Sequence, residues 1–188
     1  MLIVIIVIVA VAAIFSLGQS MFGGNKPSKE KINYGKQAIT QTESTNAVRM
    51  SVRGPIVASE NFHSYDITIS PNGRNMTTYV GYVGKQVQSK QYTNDRQAYE
   101  QLAYALDRAG MMNDFPLTGS ANDMRGICAT GYVYQFEVLS QSNSIQSLWT
   151  TSCRSVKGSL TATRSVLSDL FQKQIPDYAK LVDKINLY

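Results

Sequence analysis

The sequence predicts an α+β protein, in which an N-terminal transmembrane helix is followed by an antiparallel sheet with helices packed on one face. Three observations support this class. The first 22 residues are almost wholly apolar and carry no charge. Farther along, apolar and polar residues alternate in two groups of segments, as they do in half-buried strands. Between and after those groups, apolar residues recur three and four positions apart, which is typical of amphipathic helices.

Residues 1–22 are predicted to form a membrane anchor. The run from Met1 to Phe15 is apolar without a break. A helix of residues 1–22 would be about 33 Å long, and the hydrocarbon core of a bilayer is about 30 Å thick. The alternative is a cleaved signal peptide, but the Ala-Val-Ala sequence at 10–12 lies inside the apolar run and no basic residue precedes it. The predicted partner of this segment is therefore membrane lipid.

The nine residues after the anchor, 23–31, are predicted to form a tether, because glycines, a proline and charges are mixed there. Residues 32–188 then form the predicted α+β domain, and its orientation is open to two interpretations. Lys26, Lys29 and Lys31 favour a cytoplasmic domain under the positive-inside rule. The N-terminal position of the anchor and the two cysteines favour the opposite side. The predicted location is the cytoplasmic (inner) membrane, single-pass, with the C-terminal domain outside.

The first group of strands lies between residues 48 and 84. Val48, Met50 and Val52 alternate with polar residues until the Gly-Pro pair at 54–55. A second alternating run over 63–69 is followed by Pro-Asn-Gly at 71–73, a strong hairpin signal. The return strand is expected at about 75–84. These segments predict an antiparallel meander of about three strands.

Helices and a second hairpin account for the rest of the domain. A short helix is expected at 31–39, and Asn94 or Asp95 is expected to cap a helix that Gly110 ends. Two strands follow, from 128 to 138 and from 145 to 153, with a turn at 140–143. Thr161 or Ser159 is expected to cap the next helix, and a short last helix is expected at 178–187.

The two cysteines, Cys128 and Cys153, are placed by this scheme on the two strands of the second hairpin. A loop with an even number of residues pairs even positions with odd ones, so both side chains should project from the same face. Neighbouring strands lie about 5 Å apart, which allows a disulfide. Two reduced thiols in a cytoplasmic domain are the alternative. The sequence lacks a C-x-x-C pair, which argues against redox catalysis.

The sequence carries no recognisable catalytic or metal-binding motif, so the expectation is no catalytic residue, no metal and no cofactor. His63 is the sole histidine, and no G-x-S-x-G surrounds a serine. Calcium binding by the polar loop with Asn113, Asp114, Asn122 and Asp123 stays open, although the EF-hand spacing is missing. The net charge of +5 is dispersed along the chain, which argues against nucleic acid as a partner.

A partner-binding surface is a further expectation. Arginine, tryptophan and tyrosine dominate binding hot spots. The candidate residues are Arg49, Arg53, Trp149, Tyr132 and Tyr134. Burial in the core is the competing interpretation for the aromatic members.

Two segments carry a resemblance to known proteins. Residues 48–57, VRMSVRGPIV, and residues 125–132, RGICATGY, resemble uncharacterised single-pass anchored envelope proteins of small-genome candidate-phylum bacteria. The resemblance implies a bacterial envelope setting and implies no catalysis. The expected function is that of a membrane-anchored, non-enzymatic envelope protein whose extracytoplasmic domain binds an envelope protein or a cell-wall polymer. A membrane-bound hydrolase with unrecognised catalytic residues is the alternative.

Overall fold

The computed structural model describes residues 32–185 and residue 187. The predicted anchor and tether lie outside this range. Among the described residues, no helix is both long enough and apolar enough to cross a bilayer.

Six antiparallel strands form one sheet with the order β4-β3-β2-β1-β5-β6. The first four strands follow one another along the chain, and the second hairpin pairs with the other side of β1. Their bounds are β1 Asn46–Arg53, β2 His63–Ser70, β3 Gly73–Val80, β4 Lys85–Thr93, β5 Val133–Ser140 and β6 Asn143–Thr151. The antiparallel α+β expectation is therefore confirmed.

Strand β4 was not predicted from the sequence. The expected single return strand at 75–84 is instead β3, a tight turn at 81–84 and then β4. Most side chains of β4 are exposed on both faces, because it is an edge strand. An edge strand needs no apolar face, so the sequence there lacks the alternation that marks a half-buried strand.

Among the described residues, four α-helices accompany the sheet: α1 Tyr34–Ile39, α2 Arg96–Arg108, α3 Arg164–Gln172 and α4 Tyr178–Asp183. Of the two residues predicted to cap α2, Asp95 is the cap, since its side chain accepts a 2.8 Å hydrogen bond from the Ala98 amide, whereas the Asn94 side chain donates to the Ser70 carbonyl. The cap of α3 is Thr163, not Thr161 or Ser159. Those two residues instead bond to distant backbone: Ser159 accepts from the Trp149 amide and Thr161 donates to the Asn113 carbonyl.

One hydrophobic cluster joins the helices to the sheet. In β1 the even-numbered Val48, Met50 and Val52 are fully buried in it, together with buried residues of all four helices. Phe136 of β5 packs in the same cluster against Phe171 of α3, with ring centroids 6.0 Å apart. The opposite face of β1 carries arginines and a serine, so the alternation in the sequence correctly marks the buried side.

The second hairpin contains a bulge that the sequence did not reveal. Ser140 pairs with Asn143 across the predicted turn, but the register shifts between Val138 and Leu139. Beyond the shift odd positions pair with odd ones, as for Val133 and Thr151. The bulge therefore removes the even–odd argument used to place the two cysteines on one face.

The Cys128–Cys153 disulfide is nevertheless present, with Cα atoms 5.5 Å apart. It joins two loop residues that lie outside the strands, because β5 begins only at Val133 and β6 ends at Thr151. A turn brings Cys128 back toward the sheet: its backbone φ is 58°, and the Gly131 amide donates to its carbonyl. The pairing was predicted correctly, while the geometric reason was wrong.

Candidate functional site

A cavity of about 280 Å³ opens at the end of the sheet where β1 finishes. Most of its walls are apolar. One side is formed by the end of β1 and the segments beside it, with Arg53, Gly54, Ile56, Phe62 and Tyr82. The other side is formed by the loop at 124–128 and by Val133, the first residue of β5. We refer to this space as the end cavity.

The aromatic wall of the end cavity is held by several contacts. The rings of Phe62 and Tyr82 stack with their centroids 4.1 Å apart. The Tyr82 hydroxyl donates a 2.8 Å hydrogen bond to the Val57 carbonyl, which ties the turn at 81–84 to the loop after β1. Gly81 enters this turn with φ of 76°, a conformation that glycine adopts without steric cost. The wall is thus built from two loops that hold each other.

The opposite wall is held covalently and by hydrogen bonds. Cys128 lines the cavity and is linked to Cys153. The Ile56 amide donates a 2.8 Å bond to the Ala129 carbonyl, so the two walls also meet each other. Arg125 pairs with Asp123 at 2.6 Å. Hydrogen bonds from Arg125 lower the pKa of the Asp123 carboxyl to about 2, so this pair stays ionised at neutral pH.

Arg53 differs from the other charged groups near the sheet. Its Nη2 atom is buried and has no hydrogen-bond partner within residues 32–185 and 187. By contrast, Arg49 on the same strand contacts Glu137 at 2.6 Å. A buried donor of a charged group without a partner raises the free energy of the folded protein. Arg53 lines the end cavity, but this Nη2 atom has no accessible surface and so faces neighbouring protein atoms rather than the open space.

Apolar side chains continue from the end cavity onto the surface. Ile56 and Tyr82 are about half exposed, at 49% and 54%, and Val83 at the tip of the turn is 95% exposed. Val57, whose carbonyl accepts from the Tyr82 hydroxyl, is also exposed. We call these four residues, Ile56, Val57, Tyr82 and Val83, the apolar rim. Exposed apolar side chains grouped around a pocket are typical of a binding surface.

The five residues predicted to bind a partner do not form one exposed face. Trp149 is only 2% exposed and donates from Nε1 to the Asn122 side chain, so the expectation of an exposed tryptophan is wrong. Tyr134 is buried in the core, with the Arg164 guanidinium 4.5 Å from its ring centroid.

Of the other three predicted residues, Tyr132 is half-buried and donates to the Leu187 carbonyl. Arg49 is engaged with Glu137, whose side chain is 7% exposed. Arg53 alone among the five lines the end cavity. The core-packing interpretation thus holds for Trp149 and Tyr134.

The polar side chains considered for calcium are already engaged by other residues of the protein. Asn122 accepts from Trp149, Asp123 accepts from Arg125, and Asp114 accepts from Asn33. Within the described part of the chain, no three of His, Cys, Asp and Glu lie close enough together to hold a metal ion. His63 begins β2, and its side chain has no hydrogen bond to a nucleophile or carboxylate among residues 32–185.

Several residues of the end cavity were missed by the sequence reasoning. Ile56, Phe62, Tyr82, Met124 and Ile127 all lie in loops or turns. A signal was present, because apolar residues between glycines, as in the sequence GYVG at 81–84, have no obvious place in a solvated turn. The sequence analysis assigned residues 81–84 to the end of a predicted strand at about 75–84. The apolar residues of this turn were therefore not recognised as exposed.

The chain matches no protein-family model and no curated protein. The geometry of the described domain therefore carries the functional argument.

Proposed function

We propose that the protein is a membrane-anchored, non-enzymatic envelope protein whose extracytoplasmic domain binds a partner polypeptide at the end cavity. The observation that carries the binding role is the apolar rim, with Val83 95% exposed beside a cavity of about 280 Å³. A cavity of this size takes one or two side chains, because whole small-molecule ligands generally need about 300–1,000 Å³. The rim then contacts the flanking part of the partner.

The membrane setting has separate support. The uncharged apolar segment at 1–22 has the length of a bilayer span. A disulfide between Cys128 and Cys153 favours an oxidising compartment, which supports placing the domain outside the cytoplasm. The resemblance of residues 48–57 and 125–132 to anchored bacterial envelope proteins agrees with that setting. A hydrolase gains no comparable support from the described residues.

Site-specific photo-crosslinking tests this function. A photoreactive phenylalanine analogue is placed at Val83 of the full chain, and irradiation is carried out in membranes isolated from the producing cells. We expect one discrete polypeptide adduct. Introducing Ile56→Asp into the same chain should abolish the adduct and leave the melting temperature nearly unchanged, because Ile56 is half exposed.

The matched control places the same analogue at Val166, which is 50% exposed on α3. No discrete adduct is expected there. Equal labelling from both positions would contradict a specific surface. Adducts with lipid alone from position 83 would show that the apolar rim contacts the membrane and not a polypeptide.

A further inference from the structure

The two edges of the sheet differ in what covers them. At one edge, the Trp149 carbonyl of β6 accepts from the Leu160 amide at 2.9 Å, and the Trp149 amide donates to the Ser159 hydroxyl at 3.0 Å. At the other edge, β4 pairs with β3, and within residues 32–185 no other backbone group bonds to the backbone of 85–93. β4 therefore presents a free edge that is nine residues long.

Alternate residues of an edge strand direct their amide and carbonyl groups away from the sheet. Ser70 and Gly73 flank the two-residue turn between β2 and β3 and form a hydrogen-bonded pair. Counting from this pair along the antiparallel ladders, Lys90 bonds to β3, whereas the amides and carbonyls of Ser89 and Gln91 point outward. An added strand would bond to these outward groups and leave those of Lys90 unchanged.

A bulge in β4 brings its two lysines to the same side of the sheet. One extra residue, Val87, is inserted where the register with β3 shifts. Beyond the bulge, Lys85 pairs with Val80. Lys90 pairs with Met76, four positions away from Val80 on β3. Residues four positions apart on a strand share a face, so the two lysines lie on one side, about 13 Å apart along the edge.

The charge of this edge restricts what can pair with it. Both lysines are exposed, and neither forms an ion pair with another residue of the described part of the chain. β4 contains no acidic residue. Two copies paired through this edge would gather four lysines along one seam without a counter-charge, which is unfavourable. Charge complementarity therefore selects a strand with two carboxylates on one face, four positions apart.

We propose that β4 accepts an extended acidic segment of a partner polypeptide as a seventh strand, with carboxylates at positions i and i+4 of that segment opposite Lys85 and Lys90. This assignment rests on the proposed function for the nature of the partner and adds a second contact to it. The turn at 81–84 joins the apolar rim to β4, so a polypeptide held at the end cavity can continue along this edge. Backbone hydrogen bonds supply the affinity, and the spacing of the carboxylates supplies the specificity.

Two peptides of the same composition test the spacing on the full chain purified in detergent. Acetyl-Thr-Glu-Val-Thr-Val-Glu-Thr-amide has its glutamates four positions apart, on one face of a strand. Acetyl-Thr-Glu-Val-Thr-Glu-Val-Thr-amide has them three positions apart, on opposite faces. In titrations of ¹⁵N-labelled protein at low salt, we expect the first peptide to bind about two- to fivefold more tightly, which is the contribution of one exposed ion pair.

Amide hydrogen exchange identifies how the peptide binds. Saturation with the first peptide should slow exchange at Ser89 and Gln91 by at least about fivefold, because their outward amides gain hydrogen bonds. Exchange at Lys90 should change little, since its amide already bonds to β3. Contact through side chains alone would not produce this alternation along β4.

Variants connect the preference between the peptides to the two lysines. Lys85→Gln and Lys90→Gln should each bring the ratio of the two affinities to about one, because a single remaining lysine pairs equally well with either peptide. Both side chains are exposed, so the fold should be retained. Lys173→Gln is the matched control and should keep the ratio, since Lys173 lies outside β4 and already pairs with Asp169.

The outcomes distinguish this assignment from the proposed function. Equal affinity of the wild type for both peptides would overturn the pairing of carboxylates with the lysines, and evenly slowed exchange over β4 would overturn strand addition. Slow exchange at Ser89 and Gln91 in the free chain would show an edge already occupied, by the same chain or by a second copy, and would overturn it as well. A crosslinked adduct from position 83 without peptide binding at β4 would retain the proposed function and refute this assignment. Peptide binding at β4 without that adduct would do the reverse.

Discussion

The disulfide should be the largest single covalent contribution to the stability of the domain. Cys128 and Cys153 are separated by 25 positions. The chain-entropy relation for a loop of this length gives a stabilisation of about 3.5 kcal/mol at 25 °C. For a domain of about 150 residues, each kcal/mol shifts the melting temperature by about 2–4 °C, so the double variant Cys128→Ser/Cys153→Ser should melt about 7–14 °C lower.

The backbone at position 128 adds a second, smaller expectation. Cys128 has φ of 58°, in the left-handed region, where a residue with a Cβ costs about 1 kcal/mol more than glycine. The double variant Cys128→Gly/Cys153→Ser should therefore recover about 0.5–1 kcal/mol relative to the double serine variant. The two variants differ only at position 128, so each is the control for the other.

Thermal unfolding followed by circular dichroism measures both effects. Wild-type protein treated with a reductant should melt close to the double serine variant, whereas the variants themselves should not respond to the reductant. A decrease below about 2 °C in the double serine variant would refute the loop-closure argument.

Three further perturbations test the core and the charged groups. Arg49→Met should lower the free energy of unfolding in urea by about 3 kcal/mol, because Glu137 is left buried, with a 7% exposed side chain and no counter-ion from Arg49. Arg49→Met/Glu137→Leu should lower it by less. Equal losses in the two variants would contradict the pairing. Burial raises the pKa of Tyr99 to about 12, so only the unfolded state loses this proton between about pH 10 and pH 12 and stability falls by about 2–3 kcal/mol as the pH rises. Tyr99→Phe should lack that part of the decrease in stability. Parallel profiles of stability against pH for the two proteins would contradict the raised pKa of Tyr99. Phe171→Ala should cost about 3–5 kcal/mol because the ring is fully buried, whereas Val166→Ala on the exposed side of the same helix should change stability by at most about 0.5 kcal/mol.

Local patterns were sufficient wherever the free energy of a segment depends on its own residues. The alternation over 48–52 identified the buried face of β1, and Pro-Asn-Gly at 71–73 located the first hairpin. Asp95 could be recognised as a cap because its side chain bonds to an amide only three positions away. Such interactions are completed within a few residues and can therefore be seen in the sequence.

Patterns failed where a segment depends on its neighbours in the sheet. Within the sheet β4 pairs with β3 alone, and it needs no apolar face. The bulge between Val138 and Leu139 changes which residues oppose each other without any mark in the composition. Trp149 is buried and donates a hydrogen bond to Asn122, which lies 27 positions earlier in the chain. The residues around Trp149 in the sequence therefore did not reveal its burial.

The sequence by itself determined the α+β class, the approximate positions of five of the six strands, the cap of α2 and the identity of the disulfide pair. Only the tertiary structure decided that Arg53 would stand in a cavity wall while Arg49, four positions earlier on the same strand, is neutralised by Glu137. Both arginines project from the same side of β1. The difference between them lies in what β5 and the loop at 124–128 bring near each guanidinium, and those partners lie more than 70 positions away along the chain.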